Sequence, residues 1–134
     1  MKTIQLPEWP WRVVDAEAGK LAVAYWLVGG AVRDLLLERP VHDWDFAVDR
    51  DALTLARAVG DTLGGAFFPL DEERETARVV LNAENGTPLV LDFALLRGGA
   101  LHADLAERDF TVNAMAVDAA GTLIDPLDGR GDLA

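Results

Sequence analysis

The sequence contains no cysteine and only two histidines. The absence of cysteine excludes disulfide bonds, thiolate zinc sites and a cysteine nucleophile. His42 and His102 form no H-x-x-x-H pattern and are not spaced with carboxylates as metal ligands are. The sequence therefore gives no support for a zinc site or for a Ser-His-Asp triad.

Long apolar runs are also missing. The longest, such as residues 21–28, are far shorter than the roughly 20 residues of a membrane span. No apolar signal-peptide core follows Met1, because Pro7, Glu8 and Pro10 interrupt the segment. With 51% hydrophobic and 26% charged residues over 134 positions, the composition is that of one globular domain. We therefore expect a single domain over 1–134 that has no membrane partner and functions in the cytoplasm.

Positive charge is scarce. Twelve Lys and Arg stand against 23 Asp and Glu, which gives a formal net charge of −11. This sign is wrong for a domain that holds nucleic acid mainly by neutralising phosphates. An acidic excess suits the binding of divalent cations, although solubility alone explains most of these charges as well. If RNA binds, we expect most of its backbone to be held by regions outside this chain.

The hydrophobic pattern predicts an α/β (α+β) domain with a mixed β-sheet flanked by helices. Glycines are the expected helix stops, with Gly19 ending the first helix and Gly64-Gly65 the third. Asn85-Gly86 is a strong signal for a hairpin turn. The predicted helices are 12–19, 31–38, 51–63 and 103–117, and the predicted strands are 21–28, 43–48, 66–70, 76–82, 88–96 and 122–125.

Two aspartates separated by one residue make the segment 43–48 the most informative. On a strand, the side chains of Asp43 and Asp45 point to the same face, with Cα atoms roughly 6.5–7 Å apart. Two carboxylates on one face repel each other unless a cation or hydrogen-bond donors lie between them, and Mg²⁺ needs few protein carboxylates. The alternative is an exposed strand face with two solvated aspartates.

A glycine pair lies just before this segment. Gly29-Gly30 ends an apolar strand and opens a helix, an arrangement that exposes backbone N–H groups to an anion. Arg33, one turn later, can donate to a phosphate oxygen, or it can form an ion pair with Asp34. The spacing is neither the dinucleotide motif nor the P-loop. Combined with Asp43 and Asp45, it predicts a site for a metal ion and a triphosphate.

A third carboxylate interrupts an apolar strand. Asp92 lies among leucines, alanine and phenylalanine in the segment 89–96. A charge at such a position is costly without a partner, which a metal ion would provide. Arg97 or Arg78 could equally pair with it as a structural ion pair. A direct role for Asp92 as a metal ligand or base and a structural role are both left open.

A second polar segment covers 104–118. Arg108-Asp109 opens a predicted helix, and Asp109 taken alone is best interpreted as its N-cap. The four tryptophans are expected to be packing residues rather than surfaces on which bases stack. They are Trp9, Trp11, Trp26 and Trp44.

Four segments resemble, in the same order, the motifs of the class II tRNA nucleotidyltransferases. These are the CCA-adding enzymes and bacterial poly(A) polymerases of the polymerase β-like superfamily. The likeness extends over residues 26–133. The segments are LVGGAVRDLLL at 27–37, HDWDFAV at 42–48, DLAERDFTVNAMA at 104–116, and Asp125-Pro126 with Gly129 and Asp132-Leu133.

The resemblance implies the catalytic head domain of that family, a mixed sheet flanked by helices. It implies transfer of a nucleotide from ATP or CTP to an RNA 3′ end, with Mg²⁺ as cofactor, in tRNA CCA addition or polyadenylation. One metal ion would activate the RNA 3′-hydroxyl and a second would stabilise the leaving pyrophosphate. Carried over by position, Asp43 and Asp45 would be the Mg²⁺ ligands.

The other family motifs assign the nucleotide contacts. Gly30, Arg33 and Arg108 would contact the incoming nucleotide. Gly29 would shape the turn, and Asp109 would support the ribose or the loop.

The sequence departs from the family pattern at three places. Glu38 stands where the family usually has a glycine, and because we expect a helix there, we expect little effect. Glu107 replaces an arginine, which removes a cationic contact to phosphate or RNA. The sequence ends at Ala134, so the neck, body and tail that follow the head in the family are expected to be absent.

The leading hypothesis is therefore an RNA nucleotidyltransferase head domain. The alternative is a non-catalytic nucleotide-binding or partner-binding module that kept the fold without turnover. A third possibility is an enzyme of the same fold that acts on an acceptor other than tRNA. The sequence does not decide between CTP and ATP.

Overall fold

The computed structural model describes residues 8–82, 88–96, 101, 105 and 115–125. The described helices are α1 (Glu8–Leu21), α2 (Gly30–Leu36) and α3 (Ala52–Leu63). The described strands are β1 (Tyr25–Val28), β2 (Asp43–Val48), β3 (Ala66–Asp71), β4 (Thr76–Asn82), β5 (Pro88–Leu95), β6 (Ala116–Val117) and β7 (Leu123–Ile124). Within these residues no helix is both long and apolar enough to cross a membrane.

All seven strands form one sheet, in the order β3-β4-β5-β2-β1-β6-β7. The pairing of β2 with β5 is parallel, and every other pairing in the sheet is antiparallel. The predicted mixed sheet with flanking helices is therefore confirmed. The predicted bounds of β2 and β4 agree with the structure, whereas the turn predicted at Asn85-Gly86 lies outside the described residues.

The main core lies between one face of the sheet and helices α1 and α3. Its centre is aromatic: the Phe46 ring stacks on Phe93 with centroids 5.2 Å apart, and Trp11 meets Phe46 edge-on at 5.8 Å. Trp44 is buried beside them, so Trp11 and Trp44 are packing residues, as predicted. Burying side chains of this size contributes about 1.5–3 kcal/mol each. This core pins the central strands.

A buried carboxylate connects the two core helices. Glu17 Oε1 on α1 accepts hydrogen bonds from Thr62 Oγ1 on α3 at 2.9 Å and from Lys20 Nζ at 3.1 Å. The hydrogen bond from Thr62, followed by that from Lys20, lowers the pKa of Glu17, against the opposing effect of burial. Glu17 therefore stays ionised while nearly enclosed, and it fixes α1 against α3.

A smaller apolar cluster covers part of the opposite face. It contains Val28, Ala47, Leu105 and Ala116, with Trp26 packed against it. The rest of this face carries polar side chains of β2, β4 and β5. The second face is therefore where the sheet presents charged groups.

Two predicted segments differ from the structure. Residues 115–117 were expected in a helix, but Ala116–Val117 is strand β6, because this apolar pair hydrogen-bonds with the edge of β1. Pairing with a sheet edge outweighs helix propensity here. Of the remainder of 103–117, only Leu105 is described, and it is helical. The predicted terminal strand at 122–125 is shorter in the structure, as Leu123–Ile124.

The first helix is longer than predicted. Gly19 was expected to end it, yet α1 continues to Leu21 and β1 begins only at Tyr25. The helix ends at Ala22, which takes a left-handed conformation with φ 54°. Ala22 N–H donates to Gly19 O and Val23 N–H to Ala18 O, which is the Schellman pattern.

The same pattern ends α2, and it overturns the expectation for Glu38. The residue lies beyond the helix, with φ 56°. Glu38 N–H donates to Leu35 O, and Arg39 N–H donates to Asp34 O. Glu38 thus occupies the position after a helix at which glycine is favoured, because a Cβ is strained there. A glutamate at this point is strained and not neutral.

Replacing Glu38 with glycine should therefore stabilise the protein. We expect Glu38→Gly to raise the free energy of unfolding by about 0.5–1 kcal/mol, because relief of left-handed strain exceeds the extra entropy of the unfolded chain. Gly64 ends α3 with φ 71°, so Gly64→Glu is the matched reverse change and should be destabilising. Chemical denaturation of both variants checks this. A lower unfolding free energy for Glu38→Gly would contradict the assignment.

A second stability prediction concerns two glycines near β4. A Cβ at Gly65 would lie 2.4 Å from Leu81 Cδ2, whereas a Cβ at Gly60 would lie 3.5 Å from Val79 Cγ2. Gly65→Ala should cost about 1–3 kcal/mol through overpacking. Gly60→Ala should gain about 0.5–1 kcal/mol in the helix interior. Thermal unfolding of both variants should move in opposite directions, and a shared direction would contradict this packing.

Candidate active site

Three carboxylates lie on the polar face of the sheet. Asp43 and Asp45 alternate on β2 with the buried Trp44 and Phe46, so they share a face, as predicted. The parallel register places Asp45 directly beside Asp92 on β5. Neighbouring strands lie about 4.8 Å apart, so two of the carboxylates are adjacent across the sheet. Asp43 is exposed, whereas Asp45 and Asp92 are partly buried.

An arginine on β4 extends this row. Arg78 lies opposite Asp92 in the antiparallel register and binds it through both branches of the guanidinium. Arg78 Nε donates to Asp92 Oδ1 at 2.9 Å, and Arg78 Nη2 donates to Asp92 Oδ2 at 3.2 Å. Of the two structural partners considered for Asp92, Arg78 is thus present, and Arg97 lies outside the described residues. The row across the sheet is Asp45, Asp92, Arg78.

The electrostatics of the row act on the arginine. Hydrogen bonding to Asp92 and then the charge of that carboxylate raise the pKa of Arg78, partly opposed by burial. The charges of Asp43 and Asp45 act in the same raising direction. The Arg78 guanidinium therefore interacts with all three carboxylates.

The turn after β1 brings the glycine pair to the same edge of the sheet. Val28, the last residue of β1, pairs with Asp45, and β2 begins where β1 ends. Gly29 has φ 73° and ψ −148°, a conformation that side chains with a Cβ rarely adopt. Gly29-Gly30 therefore turns the chain into α2 close to Asp43 and Asp45, as the predicted site requires.

Arg33 lies over this turn. A Cβ added at Gly30 would lie 3.1 Å from Arg33 Nη2 and 3.5 Å from Arg33 Cζ, so the guanidinium covers the Gly30 Cα. The ion pair considered as the alternative is also present, because Arg33 Nε donates to Asp34 Oδ1 at 3.3 Å. The two contacts use different parts of the guanidinium. The ion pair holds the side chain in place above the turn.

Two predicted nucleotide-site residues, Arg108 and Asp109, lie outside the described residues. His42 is described, and its carbonyl accepts from Val90 N–H at 2.9 Å, which extends the pairing of β2 with β5. Its imidazole is exposed. His42 is therefore placed as a backbone element of the sheet, beside Asp43.

The donor chemistry of the site suits a hard cation. Across the described ranges, no group of three or more His, Cys, Asp or Glu residues is arranged to hold a metal ion. Mg²⁺ commonly binds through one or two carboxylates and completes its octahedron with water and phosphate oxygens. Asp43 and Asp45, with oxygen donors only, fit that requirement when a phosphate ligand is present.

Arg78 is the residue whose importance the sequence analysis did not rank. It was named only as one of two possible partners for Asp92. The alternating pattern of β4, with Ala77 and Val79 buried and Arg78 between them, contained the signal that its side chain faces the polar side. The register with β5 was needed to place it on Asp92.

Comparison with known proteins places this geometry in a family. The sequence matches the family described as the poly A polymerase head domain over residues 25–100 and 97–134. A CC-adding tRNA nucleotidyltransferase of Geobacter sulfurreducens is 54% identical over 110 residues, which are 81% of this chain and 25% of the relative. An A-adding tRNA nucleotidyltransferase of Deinococcus radiodurans is 46% identical over 107 residues, covering 80% of this chain and 23% of the relative.

The solved structures agree with the sequence matches. A CCA-adding enzyme in complex with CTP superposes with a TM-score of 0.81 at 32% identity, covering 92% of this chain and 31% of that one. The chain thus spans about a quarter of the length of the curated relatives it matches. On fold, motifs and these matches together, the chain belongs to the family of poly A polymerase head domains.

Proposed function

We propose that this chain is the catalytic head domain of an RNA nucleotidyltransferase, which transfers a nucleotide from ATP or CTP to an RNA 3′ end. The observation that carries the proposal is the convergence of two predicted elements at one sheet edge. The Gly29-Gly30 turn with Arg33 lies where β1 ends, and Asp43 and Asp45 lie where β2 begins. A phosphate site and a cation site therefore adjoin.

Asp43 and Asp45 are the residues that would hold Mg²⁺. When bound, the cation supplies activation of the RNA 3′-hydroxyl and charge neutralisation at the phosphates. The two carboxylates stay on one face because Trp44 and Phe46 anchor the strand from the other face. The strand therefore fixes the spacing of the ligands before the cation arrives.

The nucleotide would be held at the turn. Gly29 and Gly30 leave the backbone N–H groups open to an anion, since no Cβ covers them. Arg33 supplies a guanidinium for a phosphate oxygen, and its ion pair with Asp34 sets the orientation. We propose that Arg108, which follows the family motif, contacts the same nucleotide.

The reaction is a single displacement at the α-phosphorus. The RNA 3′-oxygen forms the new bond to phosphorus, the bond to pyrophosphate breaks, and the hydroxyl proton leaves to water. No protein nucleophile is required, so the chain's own residues bind and orient the two substrates. Proximity and alignment of this kind lower the barrier substantially.

The choice of base and the grip on tRNA belong elsewhere in a longer enzyme. Relatives named as CC-adding and A-adding are both closely similar to this chain, at 54% and 46% identity. The head sequence therefore does not separate CTP from ATP use. The charge of −11 also argues that other regions hold most of the RNA. We propose that the enzyme acts in the cytoplasm on tRNA 3′ ends.

Removal of one carboxylate tests the cation site. Calorimetric titration of the chain with CTP and with ATP should show binding that needs Mg²⁺ and is lost with a chelator. Asp43→Asn should weaken Mg²⁺-dependent binding by at least about tenfold, because one of two ligands is lost. Asp61→Asn, an exposed position on α3, is the matched control and should bind as the parent does. Unchanged binding by Asp43→Asn would refute the assignment.

Transfer itself needs a second measurement. Incorporation of α-labelled CTP or ATP into tRNA that lacks its terminal nucleotides should occur with the parent chain or with the chain joined to the other regions of a relative. It should fall with Asp43→Asn. Nucleotide binding without transfer in either setting would favour the non-catalytic binding module.

The glycine turn gives a separate prediction. Gly30→Ala places a Cβ 3.1 Å from Arg33 Nη2, which forces the guanidinium to shift by a few tenths of an ångström. We expect nucleotide binding to weaken by about 3–10-fold with little loss of stability. Gly19→Ala, at a glycine with open space around it, is the control. Equal nucleotide affinity in both variants would show that Arg33 does not act at this turn.

A further inference from the structure

The Arg78–Asp92 pair borders the two carboxylates assigned to the cation. Both oxygens of Asp92 accept from one guanidinium, and Asp92 is the sheet neighbour of Asp45. The planar guanidinium matches the carboxylate in this two-bond contact, which a lysine cannot reproduce. The chain therefore has a fixed positive charge inside the row of acids, present without any bound ion.

The sum of charges on this face sets what else it can bind. Asp43, Asp45 and Asp92 together carry three negative charges, and Arg78 cancels one of them. Without Arg78, three like charges would share one face at neighbouring sheet positions and would attract cations more strongly. With Arg78 paired, the excess negative charge is concentrated on Asp43 and Asp45.

We propose that Arg78 is a positioning residue that holds and neutralises Asp92, so that divalent cations bind to the Asp43–Asp45 pair and not across all three carboxylates. The proposal rests on the function proposed above and adds a role that Asp92 alone does not reveal. Asp92 then acts as the anchor of Arg78 and as the wall of the cation site. Arg78 lowers the affinity of the chain for a free cation in the absence of nucleotide.

The probe is Mn²⁺, which also prefers oxygen ligands in octahedral geometry and whose free form is counted by electron paramagnetic resonance. Binding to the whole chain without nucleotide is compared between the parent and Arg78→Gln. We expect Arg78→Gln to bind Mn²⁺ about tenfold more tightly, because a nearby positive charge is removed. Arg78→Lys keeps the charge and should bind close to the parent.

A matched control removes the same charge from a neighbouring position. Arg74 lies in the turn between β3 and β4, where it pairs with Asp71 at 3.8 Å and is largely exposed. Arg74→Gln should change Mn²⁺ affinity by less than about twofold, since exposed charges are screened. A gain as large as that of Arg78→Gln would show a general charge effect and overturn the proposal.

Equal Mn²⁺ binding by the parent and Arg78→Gln, including no binding by either, would also overturn it, because Arg78 would then be a structural ion pair only. If Arg78→Gln does not fold, Asp92→Asn is compared with the double variant Arg78→Gln/Asp92→Asn, which removes both members of the pair. The double variant should bind Mn²⁺ more tightly than Asp92→Asn, and equality would refute the proposal.

Failure of the proposed function gives a different result. Adding Asp43→Asn to Arg78→Gln should abolish the gained Mn²⁺ affinity. If the gain persists, the cation does not bind at Asp43, and the assignment of the active site fails while the effect of Arg78 stands. The two hypotheses are therefore separated by one additional variant.

Discussion

The two-sided character of β2 is the constraint on which the rest of the structure depends. Asp43 and Asp45 face one way while Trp44 and Phe46 are buried in the aromatic core on the other. A shift of the strand by one residue would put the carboxylates in the core and the aromatic rings in water, so the register is strongly specified. The burial of the rings therefore provides the free energy that holds two like charges at a fixed spacing.

The same strand explains why part of the fold was predictable. The alternation of large apolar and polar residues gave the bounds of β2, and its glycine turn gave the position of the site. The helix ends were less predictable, because all three helices end in a left-handed residue and only α3 has a glycine there. Ala22 and Glu38 take that conformation with a Cβ, at a cost that packing of the helices must offset. A search for glycine thus misplaced the first helix end and misjudged Glu38.

The site was predictable to the extent that it is local in sequence. The spacing of Asp43 and Asp45, and the succession of Gly29, Gly30 and Arg33, follow from strand and helix periodicity. The partner of Asp92 does not, since it depends on β5 lying parallel to β2 on one side and antiparallel to β4 on the other. Two arginines were equally compatible with the sequence, and only the sheet register selects Arg78. Long-range pairing is therefore what the pattern of a single chain leaves undetermined.

The charge of the domain and the charge of its site serve different ends. A net charge of −11 repels the RNA backbone at long range, whereas the Gly29-Gly30 turn and Arg33 are an attractive element for a phosphate at short range. A nucleoside triphosphate that arrives with its own divalent cation carries less negative charge and adds the cation that Asp43 and Asp45 need. The acidic surface thus favours a metal-bound nucleotide over a bare polyanion. In a nucleotidyltransferase this division requires that the RNA be brought to the head by a more basic region, so that the 3′ end alone enters the acidic site.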